Sequence, residues 1–195
     1  MIHGLTNGVF HDDQRFWPIY ERVQALDVPI YIHPAYPHPA VVEAYYKDYL
    51  GEYPNLASSG WGFGVETATQ GIRFCLSGVF DKYPKLQIVL GHLGEGLPFF
   101  VWRISQSLAR PGNAGAKKNF RDVFSEHFYI TTSGFFSDPA LQCCITELGI
   151  DRVMYSVDYP FVENPPGTEW INAVQMNAAD KEKILSGNAK RLLKI

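Results

Sequence analysis

Four apolar, β-branched runs each finish in a polar or charged cluster: Pro29–Pro34, Leu86–Glu95, Phe128–Gly134 and Arg152–Phe161. A strand that is apolar on both faces belongs to a parallel sheet covered on both sides, and the ends of such strands are where α/β folds mount their chemistry. Apolar residues between the runs recur at three- and four-residue intervals, so the pattern predicts alternating strands and helices. Asp12 and Asp13 are expected to cap a helix carrying Phe16, Ile19, Tyr20, Val23 and Leu26. A second helix is expected from Glu66 to about Phe80, with Ala68, Ile72, Cys75, Leu76 and Val79 along one side. The segment Asp138–Gly149 has an acidic start, a proline in its first turn, a stripe of Leu141, Cys144, Ile145 and Leu148, and a closing glycine. Residues 35–63 are rich in Pro, Tyr and Gly without sustained period and are expected to form a loop, a cover over a site. Residues 109–118 read as a basic, solvated loop. With no internal repeat and no break in composition, residues 1–195 are expected to form a single domain.

The 195 residues are ample for one domain but fall short of the ~250 of a complete eight-unit β/α barrel. A hydrophobic share of 46%, a charged share of 19% and a net charge of −3 are those of an ordinary globular chain. Seventeen Lys and Arg against 20 Asp and Glu, without a long basic cluster, give no footprint for a nucleic-acid backbone, so no nucleic-acid partner is expected. No apolar run approaches the ~20 residues that span a bilayer and the opening lacks a signal-peptide core, so the expectation is a cytoplasmic protein without membrane contact. The three cysteines, Cys75, Cys143 and Cys144, suit neither a disulfide framework nor a zinc knuckle and are expected as buried reduced thiols.

His33 closes an apolar strand and is followed by Pro34, which stops the ladder, so its imidazole is expected above the strand ends. A hydrogen-bonded structural histidine is the competing reading. Asp158 is expected at the same address on a later strand, where a carboxylate must be paired, hydrogen-bonded or bound to a cation, or else cap a helix. His92 and Glu95 share the segment Gly91–Gly96, whose small residues let the backbone turn sharply and bring an imidazole and a carboxylate together; Glu95 could alternatively cap the following helix. His11, His38 and His127 read as surface histidines, and His3, near a first strand, is left open. Histidine and aspartate at several ends of one parallel sheet favour a divalent metal, because borderline ions accept mixed nitrogen and oxygen ligands.

The runs Val28–Pro34, Phe80–Pro98, Ser156–Phe161 and Gly187–Leu193 resemble the amidohydrolase-related decarboxylases, a group that includes the 2,3-dihydroxybenzoate and γ-resorcylate decarboxylases. The resemblance runs over essentially the whole chain. It implies a metal-dependent (β/α)8 barrel with His33 as the fifth-strand ligand, Asp158 as eighth-strand ligand or proton donor, and His92 and Glu95 beside the metal. It also places Asn7, Arg103 and Phe161 in the substrate region, against the alternatives of a turn asparagine, a surface arginine and a core aromatic. The implied cofactor is a divalent ion, zinc first, with manganese and magnesium as alternatives. The implied reaction is nonoxidative decarboxylation of a hydroxybenzoate or related unsaturated carboxylic acid, a small aromatic acid being the partner. Hydrolysis of a lactone or amide and a catalytically inactive scaffold are the rival readings. Family members open with a His-x-His or Glu-x-His strand, and neither pattern occurs near Met1; Met1–Gly8 resembles the family's fourth strand instead. The expectation is therefore about strands 4 to 8 of the barrel, in a piece of a longer enzyme or a chain completed by another polypeptide. Open strand edges imply association, here into a homo-oligomer.

Overall fold

A computed structural model describes residues 1–113 and 119–195. The chain divides into two compact units, Met1–Leu86 and Gln87–Ile195. The first contains β1 (Ile2–His3), α1 (Trp17–Leu26), β2 (Ile30–His33), α2 (Pro39–Val41), α3 (Gly62–Leu76) and α4 (Val79–Lys82). β1 and β2 are parallel, with Ile2 opposite Ile32 and His3 opposite His33. A parallel pair needs a crossover, and α1 supplies it. Asp13 caps the 3₁₀ turn that leads into α1 by accepting from the Arg15 amide, whereas Asp12 is taken by the Arg73 guanidinium, with Nε–Oδ1 at 2.7 Å. Of the expected apolar stripe of α1, Tyr20 alone is buried; Ile19 and Leu26 are 48% and 53% exposed.

The second expected helix begins four residues earlier than the sequence suggests and stops at Leu76, because Gly78 takes φ +82° and starts α4. Its buried side is also different. Glu66, Thr67, Gln70, Gly71 and Phe74 face inward, while Leu76 is exposed. Residues 35–63 hold more structure than a loop: α2, a π turn at Val42–Tyr46 and 3₁₀ turns at Lys47–Tyr49 and Pro54–Ala57.

The second unit contains β3 (Ile88–Leu90), α5 (Leu97–Leu108), α6 (Phe120–His127), β4 (Phe128–Thr131), α7 (Asp138–Leu148), β5 (Val153–Met154), α8 (Asn164–Ala173), α9 (Ala178–Glu182) and α10 (Asn188–Leu193). All three strands are parallel, with Ile88 opposite Phe128 and Ile130 opposite Val153. β3 and β4 are buried at every position, as expected of strands covered on both faces. Leu93, Ile130, Leu141, Cys144, Val153, Ile171, Val174 and Ile184 form one cluster of the core. The α7 boundaries match the sequence signals, with proline in the first turn and Gly149 at φ +87°. Asp138, however, accepts from the Trp170 indole at 2.7 Å and so ties α7 to α8. The expected basic loop 109–118 lies partly outside the described residues. Among the described residues no helix is long and apolar enough to cross a membrane.

Candidate active site

The Gly91–Gly96 segment is built as a left-handed turn. His92, Leu93, Gly94, Glu95 and Gly96 have φ of +47°, +52°, +75°, +56° and +79° in succession. Three of these are not glycine, and each non-glycine residue held in this region costs roughly 1–2 kcal/mol. The surrounding packing holds them there: Leu93 is buried, its carbonyl accepts from the Cys144 thiol, and Gly94 lies against Ile130 and Pro98. Strain maintained at such expense tends to mark a working site.

Its product is a three-residue constellation. His92 Nδ1 lies 2.6 Å from Glu95 Oε1, and His92 Nε2 lies 3.7 Å from Asp158 Oδ2. Burial works against a charged His92, but the hydrogen bond and charge of Glu95, joined by Asp158, outweigh it and raise the imidazole above its ordinary value. Glu95 is thus an acceptor for His92 rather than a helix cap, since Gly96 precedes α5. Asp158 is not within a strand. β5 ends at Met154, and Asp158 follows in non-helical chain with φ +75°.

The approach to Asp158 is fixed by hydroxyls that sequence reading passed over. The Thr132 hydroxyl donates to the Ser156 carbonyl at 2.5 Å and accepts from the Ser156 amide at 2.9 Å. The Ser133 amide donates to the Ser156 hydroxyl at 3.1 Å, and the hydroxyls of Thr131, Ser133 and Ser156 form a chain with links of 2.7 and 2.8 Å. Gly134 completes the fit: a Cβ there would come 2.8 Å from Val162 and 3.5 Å from the Asp158 Cβ. The threonine-serine run after β4 was visible as a polar strand end, but single hydroxyls carry no periodic signal.

Phe161 is not a core aromatic. It is 79% exposed, and its amide closes a turn onto the Asp158 carbonyl at 2.9 Å. Arg103 is exposed on α5. In the first unit, Asn7 occupies an Asn-Gly turn, with Thr6 and Val9 bridged and Asn7 and Gly8 both at positive φ, the conformation this dipeptide favours. It also lines a cavity of about 570 Å³ with His3, Thr6, His11 and Tyr20. His33 ends β2 with Nδ1 2.8 Å from the Pro34 carbonyl. The loop after it is anchored by Glu66, a buried carboxylate that accepts from the His38 backbone and whose pKa burial pushes up. His38 is exposed, as expected. His11 and His127 are corrected: both are buried, and His11 is held by Thr6 and by the side-chain oxygen of Gln70. The thiols are unpaired, with Cys144 buried and pushed up to about 12, and Cys75 and Cys143 half-buried.

The amidohydrolase family profile matches residues 2–195. The chain is 41% identical over 190 residues to the γ-resorcylate decarboxylase of Polaromonas sp. (strain JS666), covering 96% of this chain and 57% of that protein. It is 39% identical over 197 residues to the γ-resorcylate decarboxylase of Rhodococcus jostii (strain RHA1), covering 100% and 58%. Among solved structures, a Polaromonas dihydroxybenzoic acid decarboxylase with bound manganese and the inhibitor 2-nitroresorcinol superposes with a TM-score of 0.87 at 42% identity, over 95% of this chain and 55% of that one. A 5-carboxyvanillate decarboxylase from Sphingomonas paucimobilis gives 0.90 at 35% identity, over 100% and 58%. The chain thus spans somewhat more than half the length of the relatives it matches. Parallel β/α architecture, a profile match from end to end and these likenesses agree: the chain belongs to the amidohydrolase family.

Proposed function

We propose that this chain carries the proton-handling side of a metal-dependent, nonoxidative decarboxylation of a hydroxybenzoate or related unsaturated carboxylic acid. The supporting observation is the His92 imidazole held between Glu95 at 2.6 Å and Asp158 at 3.7 Å. Decarboxylation of a ring requires a proton at the carbon that bears the carboxylate. The bond to the carboxylate then breaks, its electron pair stays with the ring, carbon dioxide leaves and aromaticity returns. Asp158 is the donor of that proton. His92, favoured in its charged form, returns a proton to Asp158 once the 3.7 Å gap closes to hydrogen-bond length, and Glu95 orients the ring and balances its charge. The names of the relatives, decarboxylases of aromatic acids, point to the same chemistry.

His33 suits a nitrogen ligand, because a proton on Nδ1 directed at the Pro34 carbonyl leaves the lone pair on Nε2. Asp158 offers an oxygen ligand as well as a proton. Among the described residues no group of three or more His, Cys, Asp or Glu is gathered for an ion, so these supply donors singly rather than as a closed cage. When bound, a divalent ion would hold the substrate carboxylate and neighbouring hydroxyl and lower the energy of charge developing on them. Zinc remains our first expectation; manganese, present in the Polaromonas neighbour, and magnesium are the alternatives. Arg103, Asn7 and Phe161 are assigned to the substrate, the guanidinium to its carboxylate. The β/α units correspond in this reading to about strands 4 to 8 of a (β/α)8 barrel, and exposed Phe99, Phe100 and Trp102 on α5 suit contact in a homo-oligomer.

The test is carbon dioxide release from 2,6-dihydroxybenzoate with added divalent metal. Asp158→Asn should lower turnover about 10²-fold or more, as loss of an acid catalyst does. Near-normal turnover in that variant refutes the assignment. Opening of a lactone without carbon dioxide release would make the chain a hydrolase, and neither turnover nor metal uptake would make it a scaffold.

A further inference from the structure

We propose that His3 is a second imidazole donor beside His33, giving the first unit a two-histidine site that favours borderline divalent ions such as zinc, cobalt and nickel over manganese and magnesium. The inference rests on the reading of His33 as a metal ligand. It adds a residue whose role the sequence left open.

His3 and His33 are register partners on adjacent parallel strands, so their side chains leave the same face of the pair. Their ring centroids lie 4.7 Å apart and the planes are inclined by 50°. Imidazole nitrogens bind zinc at about 2.0–2.1 Å, which puts each ring centroid roughly 3.2 Å from the ion. Two rings on one ion, at angles between a right angle and the tetrahedral value, then have centroids about 4.5–5.2 Å apart. The observed spacing falls within that range, and inclined rings, unlike face-to-face ones, can aim at a common point. Both have a nitrogen to give. His33 commits Nδ1 to the Pro34 carbonyl and retains Nε2, while the His3 imidazole makes no side-chain hydrogen bond among the described residues.

The backbone, rather than chance side-chain placement, sets this pair. Gly4, directly after His3, donates its amide to the His33 carbonyl at 3.1 Å. A Cβ on Gly4 would lie 2.3 Å from the Ala35 Cβ, so the segments leaving the two strands approach more closely than any side chain at residue 4 would permit. His3 itself is exposed and His33 is half-buried, leaving the pair open to an ion from solvent. A second imidazole changes selectivity because nitrogen donors raise affinity most for the ions late in the first-row series, whereas manganese and magnesium prefer oxygen.

The experiment is calorimetry with nickel, zinc and manganese chlorides on the full, tag-free chain, with the visible spectrum of its cobalt complex as a second readout. His3→Gln should weaken nickel and zinc about tenfold or more, leave manganese within about threefold, and alter the cobalt bands. His3→Phe, which keeps the ring contact without a donor, should behave like His3→Gln; binding retained in His3→Phe would show that His3 only packs against His33. Unchanged nickel affinity and cobalt bands in both His3 variants, with loss in His33→Gln, overturn the inference and leave the role of His33 standing. Unchanged binding in His33→Gln, or no nickel or zinc binding by the parent chain, overturns both.

Discussion

Gly94 and Gly96 lie two residues apart in the left-handed turn that carries His92 and Glu95, and they separate two costs of replacing glycine. Both have φ near +80°, so alanine at either suffers the left-handed strain of roughly 1–2 kcal/mol. They differ in surroundings. A Cβ on Gly96 meets nothing within 4 Å, whereas one on Gly94 would lie 3.0 Å from Ile130 Cδ1 and 3.0 Å from Pro98 Cδ. Ile130 is a fully buried core residue and Pro98 is fixed in the first turn of α5, so neither can yield freely. Overpacking of this kind costs about 1–3 kcal/mol. Gly96→Ala should therefore lose about 1–2 kcal/mol and Gly94→Ala about 2–5 kcal/mol. Urea unfolding measures both, and in a chain of this size the difference corresponds to a Tm gap of about 2–12 °C. Equal losses in the two variants would refute the claim that the turn is clamped between β4 and α5.

The protonation of His11 gives a pH dependence with a definite sign. Burial, opposed only by the charge of Asp12, lowers its pKa below the ordinary 6.5, so the unfolded chain takes up a proton that the folded chain refuses. The stability concerned is present above pH 6.5 and is lost as pH falls through the folded value; because the raised His92 acts in the opposite sense over this window, the readout is the urea midpoint of the parent chain relative to His11→Asn, which should fall between pH 7.5 and 5.5, and parallel curves would reject the account. Thr132→Val removes a hydroxyl that bonds both the carbonyl and the amide of Ser156, and should cost about 1–3 kcal/mol, with Thr132→Ser recovering most of it. Equal losses from valine and serine would mean that packing of the threonine methyl, rather than the hydroxyl, matters there.

The alternation of parallel strands and helices was legible because strand and helix impose different spacings on apolar residues. α7 was legible to the residue, since proline and glycine each mark one end for a backbone reason. The pairing of His92 with Glu95 could also be read, from glycines that allow a sharp turn within six residues. What could not be read depends on neighbours distant in sequence. α3 buries Glu66, Thr67 and Gln70 because tertiary partners face that side, overriding the apolar stripe drawn through Leu76. His11 and His127 sit among polar residues in sequence and inside the protein in space. The hydroxyl chain behind Asp158 joins residues more than twenty positions apart, and nothing in either segment alone announces the other.

That chain grips the polypeptide at Ser156, upstream of the acid, while Tyr159 and Phe161 beyond it project outward. Anchorage on one flank and exposed side chains on the other separate two tasks that a single loop would otherwise mix. If Asp158 delivers the proton, as proposed, residues downstream can be exchanged to suit a new ring substituent while the carboxyl stays where it was, and related chains can diversify in what they accept without changing the donor.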